Sequence, residues 1–566
     1  MSADQQDWVQ DAVEDVGGLD LLLSDAALGV LRRFRPDSST LRFAAAIARR
    51  PRLLADQAGQ LTRELARIAA GRSAISAAPR DRRFADPAWT SNPVLRRIVQ
   101  AYLAAGNSAE ELLNQAELGW RDDTRLRFLL TNLIAAAAPS NNPLLSPVAW
   151  KALIDTGGGN VARGLRAFAD DLAAPPRVPS MVPPGAFEVG KTLAVTPGAV
   201  VYATEHFELL HYQPVTDDVY SYPLLIVPPM INKYYITDLA PGRSMVEFLL
   251  TRGHQVFVLS WRNPDARHRD WDLDSYGHAV SQALDAVRRV SGAAKASICA
   301  LCSGGIVASM VAAHLSVTGE LHGLATLALG VTVLDQTRAG TAAAMIDEAT
   351  AAAAIAASAR RGYLDGRALA EVFAWLRPDD LVWNYWINNY LQGKQPPAFD
   401  ILHWNADTTR LPAALHRDFT RLALANALTM PDKASMLGSP VDLSKVDVPA
   451  YVIAGVADHI CPWQSCYRTT QLLGGPVKFV LSTSGHIASM VNPPSNPKAA
   501  FRTAPSNPAD PGEFLATAQN VKGSWWPDYS EWLAERSGDR RPRPTVLGSE
   551  AFPPVSAAPG SYVLDS

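Results

Sequence analysis

The sequence predicts an α/β protein: a mainly parallel sheet with helices on both faces, preceded by a helical domain. Four short and nearly continuous apolar runs, at residues 224–227, 255–261, 324–329 and 450–455, are typical of strands that are covered on both faces. Helical stretches separate these runs, and such alternation builds a doubly wound sheet. Before them, residues 199–212 have the pattern of a β-hairpin that enters the sheet.

The chain before these strands has a helical pattern only. In N-P-V-L-R-R-I-V-Q-A-Y-L, Asn92 takes the N-cap position, Pro93 fits the first turn, and the apolar residues recur at helical spacing. Five prolines within residues 174–185 then prevent a helix from continuing, because proline lacks an amide donor. We therefore predict a helical N-terminal domain over residues 1–185 and an α/β domain over residues 186–566.

Within the α/β domain, residues 331–440 interrupt the alternation with helical and aromatic segments. This insertion is too long for a crossover between neighbouring strands, so we predict a cap above the carboxyl ends of the strands. From about residue 540 the chain is rich in Pro, Gly, Ser and Ala, which predicts either an extended course along the surface or partial disorder.

Composition excludes several classes of protein. Lys plus Arg is 52 and Asp plus Glu is 55, so the net charge of -3 provides no positive field for nucleic acid. Four cysteines are too few for the disulfide framework of a secreted protein, and they fit a reducing compartment. The first residues carry acids where a secretory signal needs basic residues, and no apolar run is long enough for a transmembrane helix. We expect a cytoplasmic protein without a transmembrane segment or a nucleic-acid partner.

The strongest local signal is S-I-C-A-L-C-S-G-G, where a short apolar strand reaches Cys302 and an Ala-rich helix follows at once. A nucleophile elbow is a strained strand–turn–helix that needs small residues two places on either side of the nucleophile. Ala300 and Gly304 meet this demand, although glycine is usual at the earlier position. Cys302 is the predicted nucleophile.

An acid and a histidine follow in the order that α/β-hydrolases use, which is nucleophile, acid and histidine, with the last two after later strands. Asp458 follows the strand Y-V-I-A-G, and His486 follows the next strand, V-K-F-V-L. A single Asp or His at a strand end is usually a cap or a surface residue. Three such residues in the required order predict an α/β-hydrolase fold with Cys302, Asp458 and His486 as its catalytic residues.

A cysteine nucleophile indicates the kind of acyl donor. A neighbouring imidazole makes a thiol strongly nucleophilic by removing its proton. Transfer of an acyl group from a thioester to Cys302 exchanges one thioester for another, so the acyl group stays activated for attack by an alcohol. This chemistry favours acyl transfer from a coenzyme A thioester over ester hydrolysis. No glycine-rich phosphate loop locates a coenzyme A site.

Several further strings occur in an order and spacing that make the chain similar to one family. They are D-R-R-F-A-D-P-A-W (residues 81–89), V-P-P-M-I-N-K-Y-Y-I-T-D-L (227–239), S-W-R-N-P-D (260–265), L-C-S-G-G, W-N-Y-W, N-A-D-T-T-R-L-P, A-D-H-I-C-P-W and S-G-H-I-A-S-M-V-N-P-P. With them the chain resembles the polyhydroxyalkanoate synthases, the bacterial polymerases that build storage polyester from (R)-3-hydroxyacyl-coenzyme A. The resemblance spans almost the whole chain, and the family's motifs place its nucleophile, acid and base at Cys302, Asp458 and His486.

The resemblance implies that (R)-3-hydroxyacyl-coenzyme A is joined to a growing polyester chain with release of coenzyme A, through a thioester of Cys302. It implies no cofactor, because the coenzyme A thioester is the substrate. It also implies a homodimer in the cytoplasm, at the surface of polyester granules, that needs no second kind of synthase subunit. The motifs leave the chain length of the substrate open, since some strings favour medium-chain and others short-chain enzymes.

Stabilising an oxyanion requires two backbone amides, one directly after the nucleophile and one in the loop after an earlier strand. Ser303 provides the first amide. In V-P-P-M-I-N the prolines have no amide hydrogen, so we predict Met230 as the second donor and Ile231 as the fallback. The predicted oxyanion hole therefore consists of the amides of Ser303 and Met230.

Alternatives stay open for the role of one residue and for the reaction. Asp458 either orients His486 or helps to deprotonate the attacking hydroxyl. The same triad also fits a thioesterase or depolymerase, and a granule-associated protein without catalytic activity is the alternative outside enzymes.

Other residues have simpler interpretations. Cys299 and Cys302 would lie on opposite faces of a strand, which disfavours a redox pair. His459, Cys461 and Cys466 have no usual zinc spacing, so we predict buried packing and no metal site. An aromatic stripe in the insertion is predicted to be core or subunit interface, with the lining of an acyl or polymer tunnel as the alternative. The stripe consists of Trp383, Tyr385, Trp386 and Tyr390.

Overall fold

The computed structural model describes residues 23, 26–29, 34, 37–79, 81–173, 175–337, 348–458 and 460–565. The chain divides into two compact units. We call the first the helical unit; it consists of Gly29–Ala186 and Arg367–Phe399. We call the second the sheet unit; it consists of Phe187–Gly366 and Asp400–Ser566, together with the described residues before Gly29.

The first stretch of the helical unit consists of helices joined by turns and short loops. Asn92 caps one of them, because its side chain accepts hydrogen bonds from the backbone N–H groups of Val94 and Leu95, and Pro93 opens the helix. The predicted start of this helix is confirmed. The helices of this stretch are Ser38–Ala48, Pro51–Ala69, Ala88–Ser91, Pro93–Asn114, Trp120–Ala136, Pro147–Asp155 and Gly159–Ala173.

Residues 367–399 also lie in the helical unit, although in sequence they belong to the predicted cap. Their regular segments are the helix Gly366–Leu376 and the π-helical segments Asp379–Trp383 and Trp386–Leu391. An insertion that the sequence pattern treats as one piece is therefore divided between the two units.

The aromatic stripe packs inside the helical unit. The rings of Trp386 and Tyr390 lie 5.9 and 5.3 Å from that of Phe168, which belongs to the helix Gly159–Ala173. A Cβ added at Gly164 on the same helix would lie 1.9 Å from the carbonyl oxygen of Tyr390, so the two backbones are in direct contact there. For Trp386 and Tyr390 the prediction of core packing is confirmed.

The sheet unit is built on a sheet of 11 strands in the spatial order β15-β14-β13-β12-β7-β6-β4-β5-β2-β1-β17. All the strands of the unit are β1 (Gly198–Ala203), β2 (Phe207–Tyr212), β3 (Asp218–Tyr220), β4 (Leu224–Val227), β5 (Val256–Trp261), β6 (Ala296–Leu301), β7 (Leu324–Gly330), β8 (Tyr363–Leu364), β9 (Leu411–Pro412), β10 (Ser435–Met436), β11 (Ser439–Pro440), β12 (Ala450–Gly455), β13 (Val477–Ser482), β14 (Ala500–Thr503), β15 (Gln519–Lys522), β16 (Arg540–Pro542) and β17 (Ser556–Ala557).

The centre of this sheet is parallel. Strands β13, β12, β7, β6, β4 and β5 pair parallel with their neighbours in that series, and the strands at both edges pair antiparallel. The four apolar runs of the sequence are β4, β5, β7 and β12, and the predicted hairpin is β1 with β2. The predicted parallel strands are confirmed at the centre, but the sheet as a whole is mixed, because five of its neighbouring pairs are parallel and five are antiparallel.

Helices connect and cover the strands. They are Met245–Thr251, Leu273–Ser291, Ser303–Thr318, Glu348–Arg361, Asp400–Ala406, Ala413–Leu424, Trp463–Tyr467, Thr469–Leu472, His486–Met490, Pro511–Thr517 and Trp525–Ala534. Within the part of the chain that the structure describes, no helix is both long enough and apolar enough to cross a membrane.

The end of the chain runs back over the sheet unit. The rings of Tyr529 and Trp532, on the helix Trp525–Ala534, lie 5.0 and 5.3 Å from the ring of Tyr451 in β12. Farther on, β16 pairs with β3 and β17 pairs with β1 at the edge of the large sheet. The predicted extended course of this segment is confirmed.

The topology brings three predicted site residues to one edge of the sheet. Strands β6, β12 and β13 belong to the parallel series, so their carboxyl ends lie at the same edge. Cys302 follows β6, Asp458 follows β12 and His486 follows β13. In open α/β sheets this edge is where ligands bind.

Candidate active site

Cys302 has the backbone of a nucleophile elbow. It lies between β6 and the helix Ser303–Thr318 with φ 53° and ψ -122°, a region that a residue with a side chain adopts only at an energetic cost. Its amide donates to the carbonyl oxygen of Gly330 at 2.8 Å, and its carbonyl oxygen accepts from the hydroxyl of Thr332 at 3.3 Å. These bonds hold the strained turn in place.

The small residues around the elbow have a steric reason. A Cβ at Gly304 would lie 2.6 Å from the carbonyl oxygens of both Val227 and Pro228, because the helix passes directly against the end of β4. Ala300 pairs with Val227 across the strands and is fully buried, so a methyl group is accommodated at the earlier position. The departure from glycine at Ala300 therefore does not disturb the turn.

Asp458 and His486 form a buried hydrogen-bonded pair. The Nδ1 atom of His486 lies 2.7 Å from Oδ2 of Asp458. The second carboxylate oxygen, Oδ1, accepts from the backbone N–H groups of Ile460 and Cys461, each at 2.8 Å. Both oxygens of Asp458 thus have partners, and the carboxylate fixes the orientation of the His486 ring, which presents its other nitrogen to Cys302.

The electrostatics of the site favour charge separation between Cys302 and His486. Hydrogen bonds from Cys461 and from His486, together with the positive imidazolium and the amide of Ser303, lower the pKa of the Cys302 thiol against the effect of burial. Burial by itself lowers the pKa of His486, but the Asp458 carboxylate and Cys302 outweigh it and raise that pKa. Both shifts favour a thiolate and an imidazolium over a neutral thiol and imidazole.

Cys461 is a site residue that the sequence analysis missed. It was predicted to be buried packing; it is buried, and its sulfur lies within 4.8 Å of that of Cys302. Burial raises the pKa of Cys461, which favours its protonated form. The signal available in the sequence was its position in the loop directly after Asp458. The sequence analysis also considered His459 and predicted that it binds no metal. His459 lies outside the described residues.

Two thiols and an imidazole lie close enough to hold a soft metal ion. Among the described residues, one ligand atom from each of Cys302, Cys461 and His486 lies within 4.8 Å of the others. These are the predicted nucleophile, the neighbouring Cys461 and the predicted base, so the geometry needs no metal to explain it. The absence of a metal cofactor stays a prediction.

Both predicted oxyanion donors lie beside Cys302. The amide of Ser303 opens the helix that follows the nucleophile and points to its sulfur. The amide of Met230, in the loop after β4, donates to the hydroxyl oxygen of Ser303 at 3.1 Å. A substrate oxyanion would have to replace this hydroxyl as the acceptor for Met230. The sequence offered no sign of the bond between Ser303 and Met230.

The loop that carries Met230 is held from two sides. Thr409 donates through its hydroxyl to the carbonyl oxygen of Met230 at 2.7 Å and through its amide to that of Ile231 at 3.1 Å. The indole N–H of Trp261 donates to the carbonyl oxygen of Pro228 at 3.0 Å. Thr409 and Trp261 belong to strings quoted above for the resemblance, but nothing in their sequence positions indicated this contact.

Comparison with known proteins agrees with this architecture. A family model described as Poly-beta-hydroxybutyrate polymerase (PhaC) N-terminus matches residues 80–249, and one described as alpha/beta hydrolase fold matches residues 223–493. The chain is 45% identical over 501 residues to Poly(3-hydroxyalkanoate) polymerase 2 of Ectopseudomonas oleovorans, across 88% of this chain and 89% of that protein. It is 40% identical over 503 residues to Poly(3-hydroxyalkanoate) polymerase subunit PhaC of Cupriavidus necator, across 88% and 85%.

Among solved structures, an esterase from Exiguobacterium antarcticum overlaps 51% of this chain and 92% of its own, at 14% identity and a TM-score of 0.31, a likeness too weak to carry a conclusion.

The sheet, the elbow and the family model together define an α/β-hydrolase-fold protein with cysteine at the nucleophile position, preceded by a helical region. The predicted fold class is confirmed. The chain belongs to the poly(3-hydroxyalkanoate) polymerase family, as the resemblance indicated, and it is therefore an enzyme of the acyltransferase type.

Proposed function

We propose that the protein polymerises (R)-3-hydroxyacyl-coenzyme A into polyhydroxyalkanoate and releases coenzyme A, with the acyl group held on Cys302 as a thioester. The observation that carries this proposal is the buried set of Cys302, His486 and Asp458 at the carboxyl ends of β6, β12 and β13, in a chain of this family. A thiolate paired with an imidazolium is an activated nucleophile that suits a thioester substrate.

In the first step, the Cys302 thiolate attacks the thioester carbonyl of the substrate. A bond forms between its sulfur and the carbonyl carbon, and the charge passes to the carbonyl oxygen. The amides of Ser303 and Met230 stabilise that oxyanion once the Ser303 hydroxyl has turned away from Met230. The bond to the sulfur of coenzyme A then breaks, and the leaving thiolate takes the proton of the His486 imidazolium.

In the second step, the neutral His486 acts as a general base. It takes the proton of a 3-hydroxyl group, whose oxygen attacks the thioester of Cys302. An ester bond forms, the bond between carbon and the Cys302 sulfur breaks, and the thiolate and imidazolium are restored. Each cycle therefore returns the pair to its starting charges.

For Asp458 we propose the orienting role. Its two oxygens accept from His486, Ile460 and Cys461, so each oxygen already has a partner within the protein. Such a carboxylate stabilises an imidazolium and fixes the ring. Deprotonation of a hydroxyl by Asp458 would have to compete with these bonds.

The helical unit is proposed to contact the surface of the polyester granule in the cytoplasm, and a homodimer is the proposed state of assembly. Exposed apolar side chains support contact with the granule. They lie on and near the helices Pro147–Asp155 and Gly159–Ala173. The set consists of Leu144, Trp150, Ile154, Val161 and Leu165. A water-insoluble polyester is a partner that such side chains suit.

The test of the reaction uses the purified full chain with 3-hydroxybutyryl- and 3-hydroxyoctanoyl-coenzyme A. Thiol release and turbidity are recorded together, and the product is identified by mass. We expect both signals to rise with at least one substrate, with Cys302→Ala giving neither. Thiol release with free hydroxy acid and no polymer would identify a thioesterase instead. If neither substrate releases thiol, the protein is better described as a granule-associated protein without catalytic activity.

A further inference from the structure

Of the four cysteines, two lie together in the active site. Cys302 and Cys461 are both buried, and their sulfur atoms are within 4.8 Å of each other. Cys461 belongs to the loop between β12 and the helix Trp463–Tyr467, and it is in no helix or strand. A loop residue can move its sulfur by a side-chain rotation and a small shift of the backbone.

The two thiols differ in reactivity in a way that suits a reactive and a resolving cysteine. Hydrogen-bond donors and His486 favour the thiolate of Cys302, and the thiolate is the form that peroxides oxidise. Burial and the charges of Asp458 and Cys302 raise the pKa of Cys461, which favours its protonated form. It becomes a nucleophile only when a neighbouring group accepts its proton.

We propose that Cys302 and Cys461 form a reversible redox pair, in which a peroxide oxidises Cys302 and Cys461 then closes a disulfide with it. This proposal goes beyond the polymerase reaction and does not depend on the identity of the acyl substrate.

The chemistry balances with hydrogen peroxide or an organic hydroperoxide as the oxidant. The Cys302 thiolate attacks one peroxide oxygen, the O–O bond breaks, and the sulfur is oxidised to a sulfenic acid, while the leaving oxygen takes the proton of the His486 imidazolium and departs as water or an alcohol. Cys461 passes its proton to the sulfenic oxygen, the bond between the two sulfurs forms, and the S–O bond breaks with loss of water. Overall, two thiols lose two hydrogens to the peroxide.

The other cysteines are less suited to this reaction. The thiol of Cys299 lies within β6, and burial raises its pKa to about 12. Cys466 directs its thiol to the carbonyl oxygen of Cys461 at 3.8 Å. Cys466 is therefore a matched control, since it is as deeply buried as Cys461 and lies in the same region, but it does not belong to the cluster of Cys302, Cys461 and His486.

The consequence for the enzyme is protection as well as loss of activity. A Cys302 sulfenic acid without a partner is oxidised further to a sulfinic acid, which thiol reductants do not reverse. A disulfide to Cys461 stops the reaction at a stage that reductants do reverse. The pair would therefore let the enzyme recover its nucleophile after exposure to peroxide.

The experiment treats the full chain with hydrogen peroxide, blocks the remaining thiols with N-ethylmaleimide in denaturant, and maps the peptides by mass. We expect a linked peptide of Cys302 and Cys461 that lacks two hydrogens, together with loss of activity that dithiothreitol restores. In Cys461→Ser, we expect no linked peptide, sulfinic acid at Cys302 and no recovery. Cys466→Ser should behave as the wild type.

Several outcomes would overturn the proposal. These are a wild-type protein in which Cys302 reaches the sulfinic acid without a linked peptide, a disulfide between Cys461 and Cys466 instead, or equal recovery in wild type and Cys461→Ser. If Cys461→Ser does not fold, Cys461→Ala takes its place, and the peptide map of the wild type decides by itself. Because peptide masses report the disulfide directly, a failure of this proposal is distinguishable from a failure of the proposed polymerase activity.

Discussion

The sheet unit and the helical unit differ in which side chains they bury and which they expose to solvent. In the sheet unit, the ionisable groups Cys302, Asp458 and His486 are almost completely buried, at 3%, 2% and 7% exposure. In the helical unit, the apolar side chains of Leu144 and Ile154 are 74% and 76% exposed. Burying ionisable groups costs desolvation energy, and exposing apolar side chains to water is also unfavourable.

Under the proposed function, this difference would separate the chemistry in the sheet unit from granule attachment by the helical unit. Burial of the triad costs desolvation energy, but it strengthens the interactions that keep a thiolate and an imidazolium side by side. Exposure of Leu144 and Ile154 has no such electrostatic benefit, and contact with an apolar partner is the use that fits it. Substitutions in the sheet unit should therefore change rate and pH dependence, whereas substitutions on the exposed apolar set should change attachment.

The largest effect is expected for His486→Gln. Without the imidazolium, the pKa of Cys302 rises toward the ordinary value of a thiol, so less thiolate is present at neutral pH. The second step also loses its general base, and such a loss is worth about a hundredfold or more in rate. Rapid-quench measurement of acyl-enzyme with radiolabelled substrate should show acylation slowed by at least this factor.

The pH profile of kcat/KM provides the control for this variant. The wild type should keep its activity at pH values below the usual range of a thiol, because the pKa of Cys302 is lowered and that of His486 is raised. In His486→Gln, the acidic limb should move to higher pH, since the thiolate then forms only as the solution becomes more alkaline. An unchanged acidic limb would contradict the assigned ion pair.

A smaller effect is expected for Asp458→Asn. If Asp458 orients His486, acylation and elongation should both fall by a similar factor, on the order of tenfold or more. If instead Asp458 helps to deprotonate the hydroxyl, the variant should release a first equivalent of coenzyme A at the normal rate and accumulate acyl-enzyme. Single-turnover and steady-state rates measured on the same preparation distinguish the two roles.

Glycine substitutions compare the packing of the two units directly. Gly304→Ala should destabilise the protein by about 1–3 kcal/mol, because its Cβ would meet the carbonyl oxygens of Val227 and Pro228 at 2.6 Å. Gly59→Ala is the matched control: the residue lies within the helix Pro51–Ala69, and no atom lies within 4 Å of its added Cβ. Gly59→Ala should raise the free energy of unfolding by roughly 0.5–1 kcal/mol. Urea midpoints that shift equally would contradict this contrast.

The smallest effect on turnover is expected for the double variant Ile154→Ser and Leu165→Ser in the helical unit. Both side chains are exposed, so their loss should change stability by no more than about 0.5 kcal/mol each and leave release of coenzyme A within about twofold. The fraction of protein that sediments with purified polyester granules should fall. The same variant also reports on assembly by its sedimentation coefficient without granules. A granule-bound fraction equal to that of the wild type would contradict the assignment of this surface.

Much of the sheet unit was predictable because its signals are local. An apolar strand, a cysteine with small residues on either side and a following helix describe the Cys302 elbow within a few residues of chain. Asp458 and His486 were predictable because each directly follows a strand whose place in a parallel sheet the apolar pattern indicates.

Contacts between distant segments were not predictable in the same way. The sequence placed residues 367–399 in the cap, yet they pack against the helix Gly159–Ala173, where Gly164 lets the backbones touch. The bonds from Thr409 to the loop of Met230 likewise join segments that no periodic pattern relates.

By itself, then, the sequence determined the succession of strands and helices, the strained turn at Cys302 and the order of the three site residues, since each depends on neighbours in the chain. Only the tertiary structure decided that Cys461 lies beside Cys302, that Ser303 accepts from Met230, and that both oxygens of Asp458 have partners. Hydrogen bonds of this kind depend on distances of a few tenths of an ångström between side chains on different strands and loops, and residue spacing carries no such information.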